Sequence, residues 1–323
     1  MRPLVCNYYL TYRCNDTCEF CDMWRRDDLK GIEEAPADVI KKNLKDLKEL
    51  GVVYIDFTGG EPLLREDLPE ILKYAKGLGF FSALTTNCIL YKQRAKEIVD
   101  LVDRLLFSLD APDASEHERI RGVYSYEPVM ESIKEAKSLG QNPIINFTIT
   151  RSSINFLPEM IDFCKSHKIL LWINPVFGRN FQGFESESIE HIRYYFRNSW
   201  AAMNLAALEF LQKGGNDKNF SRCRAVESTL TISPDDNLLL PCFYTQKKKL
   251  LINGELKKIY RSKETRAMGK FEGRFDFCKG CMIWSYIAPS FFYKIDRYFF
   301  LNLYSIWNLW WKEYRVKKMS NVK

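Results

Sequence analysis

Short, almost continuously apolar segments alternate with longer amphipathic segments through the first half of the chain. Strands of this kind are buried on both faces, which is typical of a parallel sheet covered by helices. The alternation therefore predicts an α/β fold, with a partial (β/α)6 barrel over residues 1–184. In such barrels the chemistry collects on the loops that follow the strands. The predicted strands span 4–11, 52–57, 80–86, 103–110, 143–150 and 169–177.

The second half of the chain breaks this alternation. Residues 185–222 carry a helical pattern and are predicted to form a connecting helix. Residues 223–288 contain short strand-like and helix-like segments together with four cysteines, which predicts a small α+β domain. Residues 289–323 are unusually aromatic and are predicted to form an amphipathic tail helix.

Ten cysteines occur in the 323 residues, and no segment resembles a secretory signal peptide. No run approaches the roughly 20 uncharged apolar residues that a membrane-spanning helix needs. We therefore expect a cytoplasmic chain, whose cysteines serve metal or redox chemistry and not disulfides. The formal net charge of +7 weakly favours an anionic partner, such as a membrane surface, a phosphorylated substrate or a nucleic acid.

Three of the cysteines, Cys14, Cys18 and Cys21, lie in the loop after the first predicted strand, and the aromatic Phe20 directly precedes the last of them. An iron–sulfur cubane has four irons, each of which needs a ligand from outside the cluster. Three thiolates therefore leave one iron open to a small molecule, as an open position marks a catalytic metal. The alternative is a zinc site that borrows a fourth ligand, although zinc ligands normally pair as C-x2-C units.

This loop resembles that of the radical S-adenosylmethionine (SAM) superfamily, in which C-x3-C-x-Φ-C follows the first strand of a six-unit βα barrel. The resemblance covers roughly residues 4–180. It implies a [4Fe–4S] cluster on the three cysteines, with SAM chelated at the open iron. It also implies reductive cleavage of SAM to a 5′-deoxyadenosyl radical that removes hydrogen from a substrate. The expected partner is a low-potential electron donor of the flavodoxin or ferredoxin type.

Further residues match the family's SAM-binding motifs at the ends of the next strands. The resemblance assigns the SAM amino group to the GGEP motif, where glycines permit close approach and Glu61 can accept from an ammonium. Asn87 and Ser108 end the third and fourth strands, where a strand-end cap is the alternative role. Arg121 can meet a carboxylate or remain a surface charge. The predicted SAM-binding residues are Phe20, Gly59, Gly60, Glu61, Pro62, Asn87, Ser108 and Arg121.

Cys88 departs from the family pattern, because the third-strand motif usually reads T-N-G and here a cysteine replaces the glycine. A thiol at that strand end can return a hydrogen atom to a substrate radical, so Cys88 is a candidate catalytic residue. The simpler interpretation is a small buried side chain in a glycine position. Cys6 and Cys164 fall on apolar faces and are predicted to be core residues.

A second set comprises Cys223, Cys242, Cys278 and Cys281, of which the last two form a C-x2-C pair. Four thiolates can close a tetrahedral zinc site or hold a fully ligated [4Fe–4S] cluster, and spacing alone does not separate the two. Beside a radical SAM barrel the layout resembles the twitch domain, a shortened form of the SPASM extension. That resemblance favours an auxiliary [4Fe–4S] cluster for electron transfer, with zinc as the alternative.

The tail places large apolar residues three and four positions apart, among them Trp307, Trp310 and Trp311, with Lys312 among the polar residues of the other side. Trp and Tyr favour membrane interfaces, and the basic segment 315–318 suits an anionic leaflet. The tail is therefore predicted to lie on the inner face of the cytoplasmic membrane. Packing across the barrel or dimerisation is the alternative.

Together these features predict a radical SAM enzyme, of oxidoreductase or transferase type, that removes hydrogen from a membrane-proximal substrate, either a lipid or a lipid-linked sugar. The first alternative is a SPASM/twitch-type maturase that oxidises, epimerises or crosslinks a peptide or protein. We expect this to rank second, because no segment precedes the first strand to form a leader-binding domain. The other alternative is a non-enzymatic, membrane-associated iron–sulfur protein. Nucleic acid is not an expected partner, since the basic residues are scattered.

Overall fold

The computed structural model describes residues 2–176, 184–198 and 200–320. Helices and strands alternate through the first half of that range, as predicted. The strands are β1 (Val5–Thr11), β2 (Tyr54–Gly59), β3 (Phe81–Thr86), β4 (Arg104–Ser108), β5 (Ile144–Ile149), β6 (Leu170–Pro175), β7 (Ala201–Ala202), β8 (Thr229–Ile232), β9 (Asn237–Leu240) and β10 (Lys248–Leu251).

Helices cover the outside of the sheet and make up most of the second half of the chain. The helices are α1 (Ala37–Leu50), α2 (Leu68–Gly77), α3 (Tyr91–Ile98), α4 (Ala114–Arg121), α5 (Tyr126–Ser138), α6 (Leu157–Ser166), α7 (Ser186–Phe196), α8 (Leu205–Gln212), α9 (Leu256–Tyr260), α10 (Lys263–Gly269), α11 (Trp284–Ser290) and α12 (Arg297–Ser320).

The described strands form one sheet in the order β10, β9, β8, β1, β2, β3, β4, β5, β6, β7. Strands β1 to β7 pair in parallel, and β8 is also parallel to β1, whereas β9 and β10 return antiparallel. This confirms the α/β fold with its six-unit parallel barrel. Region 223–288 joins the same sheet through β8, because the edge of β1 that the partial barrel leaves open accepts a further strand.

Helix α1 shows how the sequence pattern produces the barrel wall. Ile40, Leu44 and Leu47 recur at helical spacing, and none of them is more than 1% exposed. This apolar stripe packs against the sheet, where burial of each side chain contributes about 1.5–3 kcal/mol. Gly51 ends the helix with φ of +93°, in the left-handed region that glycine adopts readily.

Segment 185–222, predicted to be one helix, contains two helices separated by a two-residue strand. Strand β7 pairs with the outer edge of β6, which satisfies backbone groups that a continuous helix would leave bare. Asn204 then begins α8 by accepting a hydrogen bond from the N–H of Ala207 at 3.1 Å. The single helix was therefore a wrong prediction, because a periodic pattern does not reveal edge pairing. Ser199, within this segment, and residue 177, in the sixth predicted strand, lie outside the described residues.

Helix α12 crosses the end of the barrel at which the parallel strands begin. Leu309 and Val316 are buried with Ile144 and Leu170, the first residues of β5 and β6. Glu313 accepts hydrogen bonds at 2.7 and 3.0 Å from the guanidinium of the first residue of β4. Packing across the barrel, the alternative prediction for this tail, is therefore what the structure shows.

Helix α12 turns its more polar side toward the barrel. Its buried stripe contains Asn302, Ser305 and Lys312 as well as two apolar residues, and the aromatic side is exposed. The ammonium of Lys312 donates to the carbonyls of Phe196 at 2.8 Å and Ala201 at 2.7 Å, and burial lowers its pKa to about 8. These open carbonyls explain why a lysine lies on the inner side. Among the described helices, none combines the length and the hydropathy needed to cross a bilayer.

Candidate active site

The three thiols of the N-terminal loop line one cavity of about 170 Å³ at the ends of β2, β3 and β4. Strand β1 ends directly before the loop, so the loop covers the carboxyl edge of the sheet, where ligands of parallel barrels bind. Seven of the eight predicted SAM-binding residues lie on the cavity wall, and Pro62 does not. The structure therefore brings together the motifs that are separated in sequence. On the wall are Phe20, Gly59, Gly60, Glu61, Asn87, Ser108 and Arg121.

The glycine pair holds the end of β2 against the cysteine loop. The N–H of Gly60 donates to the carbonyl of Thr11, and the N–H of Glu61 to that of Arg13, each at 2.8 Å. A Cβ on Gly60 would lie 1.9 Å from the carbonyl oxygen of Arg13, and one on Gly59 would lie 2.1 Å from that of Thr11. The close approach that requires glycine in this structure is therefore to the loop backbone.

Glu61 joins the turn after β2 to the end of β3. Its carboxylate is 1% exposed and accepts from the N–H of Leu63 at 3.0 Å, the hydroxyl of Thr86 at 2.9 Å and the N–H of Asn87 at 2.8 Å. Burial raises its pKa to about 7, and these hydrogen bonds act in the opposite direction. Its predicted contact with an ammonium stays a prediction, and the remaining lone pairs of the two oxygens leave it possible.

Asn87 and Ser108 have different surroundings within the cavity. The side-chain amide of Asn87 donates to Asn15 at 2.8 Å and to Asp16 at 2.9 Å, which ties the cysteine loop to the end of β3. Its carbonyl also accepts from the N–H of Ile89 at 3.1 Å, which is the cap role. The hydroxyl of Ser108 lines the cavity without a hydrogen-bond partner among the described residues, so it is available to a ligand.

Arg121 is buried beside Cys18 and is not a surface charge. Its guanidinium contacts the carboxylate of Asp110 at 2.6 Å, that of Asp16 at 3.1 Å and the sulfur of Cys18 at 3.6 Å. It also lies over the ring of Phe20, 5.7 Å from the centroid. Sequence analysis did not assign roles to these two aspartates, although Asp110 lies only two residues after Ser108 at the end of β4. Asp16 and Asp110 together hold the guanidinium of Arg121 against the cysteine loop, where its positive charge can compensate the negative charge of the thiolates.

The donor set of the loop fits an iron–sulfur group. None of the ten cysteines forms a disulfide in the described chain, and three thiols converge on one cavity. Burial raises the pKa of both Cys14 and Cys18 to about 12, and the positive charge of Arg121 lowers that of Cys18. Metals bind the thiolate form of cysteine, which burial disfavours. The positive charges of a bound metal and of Arg121 would together stabilise that form.

Cys88 lies in the hydrophobic core and not on the cavity wall. It is 1% exposed, and its φ of +72° falls in the left-handed region. That conformation favours glycine, which explains the glycine usually found at this position of the family motif. The structure therefore contradicts the placement of Cys88 at the active site and supports the small buried side chain. Cys6 and Cys164 are fully buried, as predicted.

The second cysteine set converges around Asn216, which sequence analysis missed. The side chain of Asn216 donates to the carbonyls of Gly273 at 2.7 Å and Cys278 at 3.1 Å, and accepts from the N–H of Cys223 at 3.3 Å. Its backbone N–H donates to the carbonyl of Cys281 at 3.1 Å. One buried amide therefore clamps the segments that carry three of the four cysteines. The Gly214-Gly215 pair directly before it indicates a turn but not this role.

The four thiols of this set influence one another. Burial makes the largest contribution to the raised pKa of Cys223, and the other three cysteines raise it further. The same is true of Cys281, whose pKa burial raises to about 12 with contributions from Cys242 and Cys278. Among the described residues, no group of three or more His, Cys, Asp or Glu side chains is arranged to hold a single metal ion.

A polar lumen continues from the thiol cavity into the barrel. A neighbouring cavity of about 310 Å³ shares the side chains of Thr58, Thr85 and Asn146 with it. A third cavity, of about 240 Å³, adjoins the second on the far side. The two deeper cavities share Asn7, Tyr54, Asp56, Trp172, Asn174, Trp284 and Ser285.

Three polar groups in the lumen lack protein partners. The carboxylate of Asp56 has no hydrogen bond or ion pair within the described residues, and burial raises its pKa to about 6. The side-chain amide nitrogen of Asn7 and the indole nitrogen of Trp284 are buried without a partner among the same residues. One acceptor and two donors therefore line the same space. Each of them destabilises the protein by about 1–3 kcal/mol as long as it has no hydrogen-bond partner.

Comparison with known proteins agrees with this site. Residues 8–161 match the radical SAM superfamily. A probable GTP 3′,8-cyclase from Sulfolobus acidocaldarius is 30% identical over 276 residues, which are 79% of this chain and 86% of that protein. The chain therefore belongs to the radical SAM superfamily, as the cysteine loop indicated. Membership implies a [4Fe–4S] cluster and SAM as cofactors.

Two solved structures share the fold. Streptococcus suis SuiB superposes with a TM-score of 0.66 at 19% identity, covering 91% of this chain and 75% of that one. Native anSMEcpe with bound S-adenosylmethionine gives 0.64 at 14% identity, with 99% of each chain covered. At these identities the likeness concerns the fold alone.

Replacing Gly60 by alanine is expected to reduce SAM cleavage by about tenfold or more, because the new Cβ would force the carbonyl of Arg13 and the cysteine loop away. The measurement is 5′-deoxyadenosine formed under anaerobic conditions, together with bound iron. Gly77→Ala is the matched control, since a Cβ at Gly77 meets nothing within 4 Å. Equal iron content and equal activity in the two variants would contradict the role of Gly60.

Proposed function

We propose that this chain reductively cleaves SAM in the cavity beside Cys14, Cys18 and Cys21, and that hydrogen is then removed from a polar substrate in the barrel lumen. When bound, the cluster and SAM supply the primary carbon radical that this reaction needs. The observation that carries the proposal is the shared wall of Thr58 and Thr85, which belongs to both the thiol cavity and the lumen. A substrate in the lumen is therefore adjacent to SAM and shielded from bulk water.

The lumen favours a polar substrate group over an alkyl chain. A hydroxyl can donate to the carboxylate of Asp56 while it accepts from Asn7 or Trp284, whereas an alkyl chain leaves all three groups unsatisfied. The rings of Trp172 and Trp284 provide apolar contact around this polar centre. A sugar-like group fits such a site. Of the two substrates predicted from the sequence, a lipid-linked sugar could place its sugar here, and an acyl chain gains no support.

The second cysteine set is proposed to hold an auxiliary cluster that exchanges an electron with the substrate. Tyr244 supports this, because it lines the lumen and lies near a cysteine of each set. Burial raises the pKa of Tyr244, and the Cys21 and Cys242 thiols raise it further. The lumen is therefore flanked by both cysteine sets.

A second candidate function is cyclisation of GTP, which the similarity to the Sulfolobus acidocaldarius protein favours. A triphosphate needs several cations around it. On the described walls of the lumen and of the thiol cavity, Arg104 and Arg121 respectively are paired with carboxylates, and Asp56 adds negative charge to the lumen. We therefore place this candidate second.

Deuterium transfer distinguishes the candidates. Cells of the source organism are grown in deuterated water, and their extract is divided into aqueous and lipid fractions. Each fraction is incubated anaerobically with enzyme, SAM and dithionite. Deuterium in 5′-deoxyadenosine from the aqueous fraction after removal of nucleotides, or from the glycolipid part of the lipid fraction, supports the proposal. Transfer from deuterated GTP alone supports cyclisation, and the absence of transfer from every fraction contradicts both candidates.

Asp56→Asn is expected to stabilise the free protein at about pH 8 by up to about 3 kcal/mol, with most of the difference lost near pH 4. The folded-state pKa of about 6 lies above the ordinary value, so the wild-type protein loses stability as the pH rises through the window between them. Asparagine does not titrate and escapes that loss. Denaturant unfolding at several pH values measures the effect.

Asp162→Asn is the control for Asp56→Asn, because Asp162 is exposed on α6. It should leave the pH dependence unchanged. Substrate-free cleavage of SAM should survive in both variants, whereas deuterium transfer from substrate should fall about tenfold or more in Asp56→Asn only. An Asp56→Asn protein with wild-type deuterium transfer would remove Asp56 from substrate binding.

A further inference from the structure

Helix α12 presents an aromatic face that nothing in the described chain covers. Its polar stripe is turned inward, so the eight large side chains of the opposite side are 43–60% exposed. Contiguous apolar surface of this kind marks an interaction site. We call the following residues the aromatic face: Phe300, Leu303, Tyr304, Ile306, Trp307, Trp310, Trp311 and Tyr314.

Positive charge flanks the aromatic face at both ends. Lys294 precedes α12, and Arg315, Lys317 and Lys318 lie in its last turns, and none of the four has a carboxylate partner among the described residues. The carboxylates close to the helix are already engaged, since Glu313 pairs with the arginine that begins β4. Asp296 pairs with Arg222 in the same way at 3.1 Å.

We propose that the aromatic face binds the surface of an anionic lipid bilayer, with α12 lying in the plane of the interface. Tryptophan and tyrosine prefer the headgroup level, where the ring is half buried and its polar atom remains hydrated. The unpaired lysines and arginine at the ends add attraction to anionic headgroups. An in-plane helix needs no membrane-spanning length, in keeping with the hydropathy of α12.

Charge argues against a second copy of this chain as the occupant. Two aromatic faces packed in parallel would bring Lys317 and Lys318 against the same residues of the other copy. Packed antiparallel, they would bring these residues against Lys294. Either arrangement places like charges together, which disfavours association, whereas an anionic surface complements both ends.

Docking through α12 fixes the orientation of the barrel. The helix covers the end where the strands begin, and the thiol loop follows the end of β1 at the other edge of the sheet. A strand of six residues spans about 20 Å. The thiol cavity therefore lies at the end of the barrel remote from α12, whereas the lumen reaches α12 at Leu309.

Vesicle co-sedimentation tests the proposal with the full chain. Vesicles of pure phosphatidylcholine are compared with vesicles containing roughly one quarter phosphatidylglycerol, at low and high salt. We expect binding to the anionic vesicles that weakens with salt. Trp307→Glu/Trp310→Glu should reduce the bound fraction about tenfold or more, and Lys317→Glu/Lys318→Glu should do so at low salt.

Phe220→Ser is the control, because Phe220 is 83% exposed and lies outside the aromatic face. All variants should retain the wild-type unfolding midpoint and SAM cleavage, since the substituted side chains are exposed and lie outside the thiol cavity. Wild-type binding no stronger than that of Trp307→Glu/Trp310→Glu would overturn the proposal. A concentration-dependent dimer by sedimentation velocity, abolished in that variant, would assign the aromatic face to a second copy instead. Neither result would bear on the proposed chemistry, which is assayed separately.

Discussion

A variant in which Cys14, Cys18 and Cys21 are all replaced by alanine is expected to form no 5′-deoxyadenosine and to lose about four of about eight irons. The three thiols line one cavity with the residues that hold the loop in place, and no other cysteine reaches that wall among the described residues. Removing them leaves a group of four irons without protein ligands at this site. Iron and sulfide analysis after anaerobic reconstitution, with Mössbauer spectra, measures the loss.

Cys164→Ala is the control for this experiment, because Cys164 is fully buried in the core and away from both sets. It should keep its iron and its activity. Cys278→Ala/Cys281→Ala should lose the other irons and retain the loop cluster. Wild-type protein that holds about four irons and one zinc would identify the second set as a zinc site and remove its electron-transfer role. Retention of SAM cleavage in the triple variant would refute the assignment of the loop.

Arg121→Met is expected to lower the free energy of unfolding by about 3–5 kcal/mol and to prevent stable cluster binding. The guanidinium is the cation that both Asp110 and Asp16 contact, and both carboxylates are at most 1% exposed. Its removal leaves two buried negative charges next to the thiolate of Cys18, and each opposes a further anionic ligand. Denaturant unfolding and iron content measure the two effects.

The conservative and compensating variants separate charge from packing. Arg121→Lys keeps the charge but not the fork that reaches two carboxylates, so we expect a smaller loss. Arg121→Met/Asp110→Asn should recover part of the stability, because one uncompensated charge is removed. The deficit of Arg121→Met should also shrink at low pH, where Asp110 takes up a proton. Burial already raises the pKa of Asp110, and losing Arg121 raises it further. A deficit independent of pH would indicate lost packing instead.

The barrel and the residues that line the thiol cavity were predictable, because the sequence patterns that specify them are local. Apolar runs specify the strands, and parallel strands bring their carboxyl ends to one edge, so motifs at strand ends meet. Seven of the eight predicted SAM-binding residues lie on the cavity wall for this reason. Their individual partners depend on side-chain geometry that no motif records. The carboxylate of Glu61, for example, accepts its hydrogen bonds from other residues of the protein.

The misses involve contacts between residues far apart in sequence. Asn216 clamps two segments that together carry three cysteines, up to 65 positions away, and nothing in its neighbourhood signals that role. The sequence did not show which face of α12 the barrel covers, because periodicity identifies two faces of a helix but not which one is covered. The carbonyls that accept from Lys312 belong to the last residue of α7 and to β7, so tertiary contacts decide which face is covered.

The pairing of β8 with β1 makes the two cysteine regions neighbours in one hydrogen-bonded lattice. β1 leads into the loop of Cys14, and β8 leads through the β8–β9 hairpin to Cys242. The two cysteine sites are therefore connected to neighbouring strands about 5 Å apart. A sheet does not stretch, so the separation of the two sites is set when the backbone folds. Cutting the chain after residue 222 would strip β1 of its outer neighbour and expose a bare sheet edge, which is a template for aggregation. We therefore expect the barrel and residues 223–288 to unfold together, because they share one sheet.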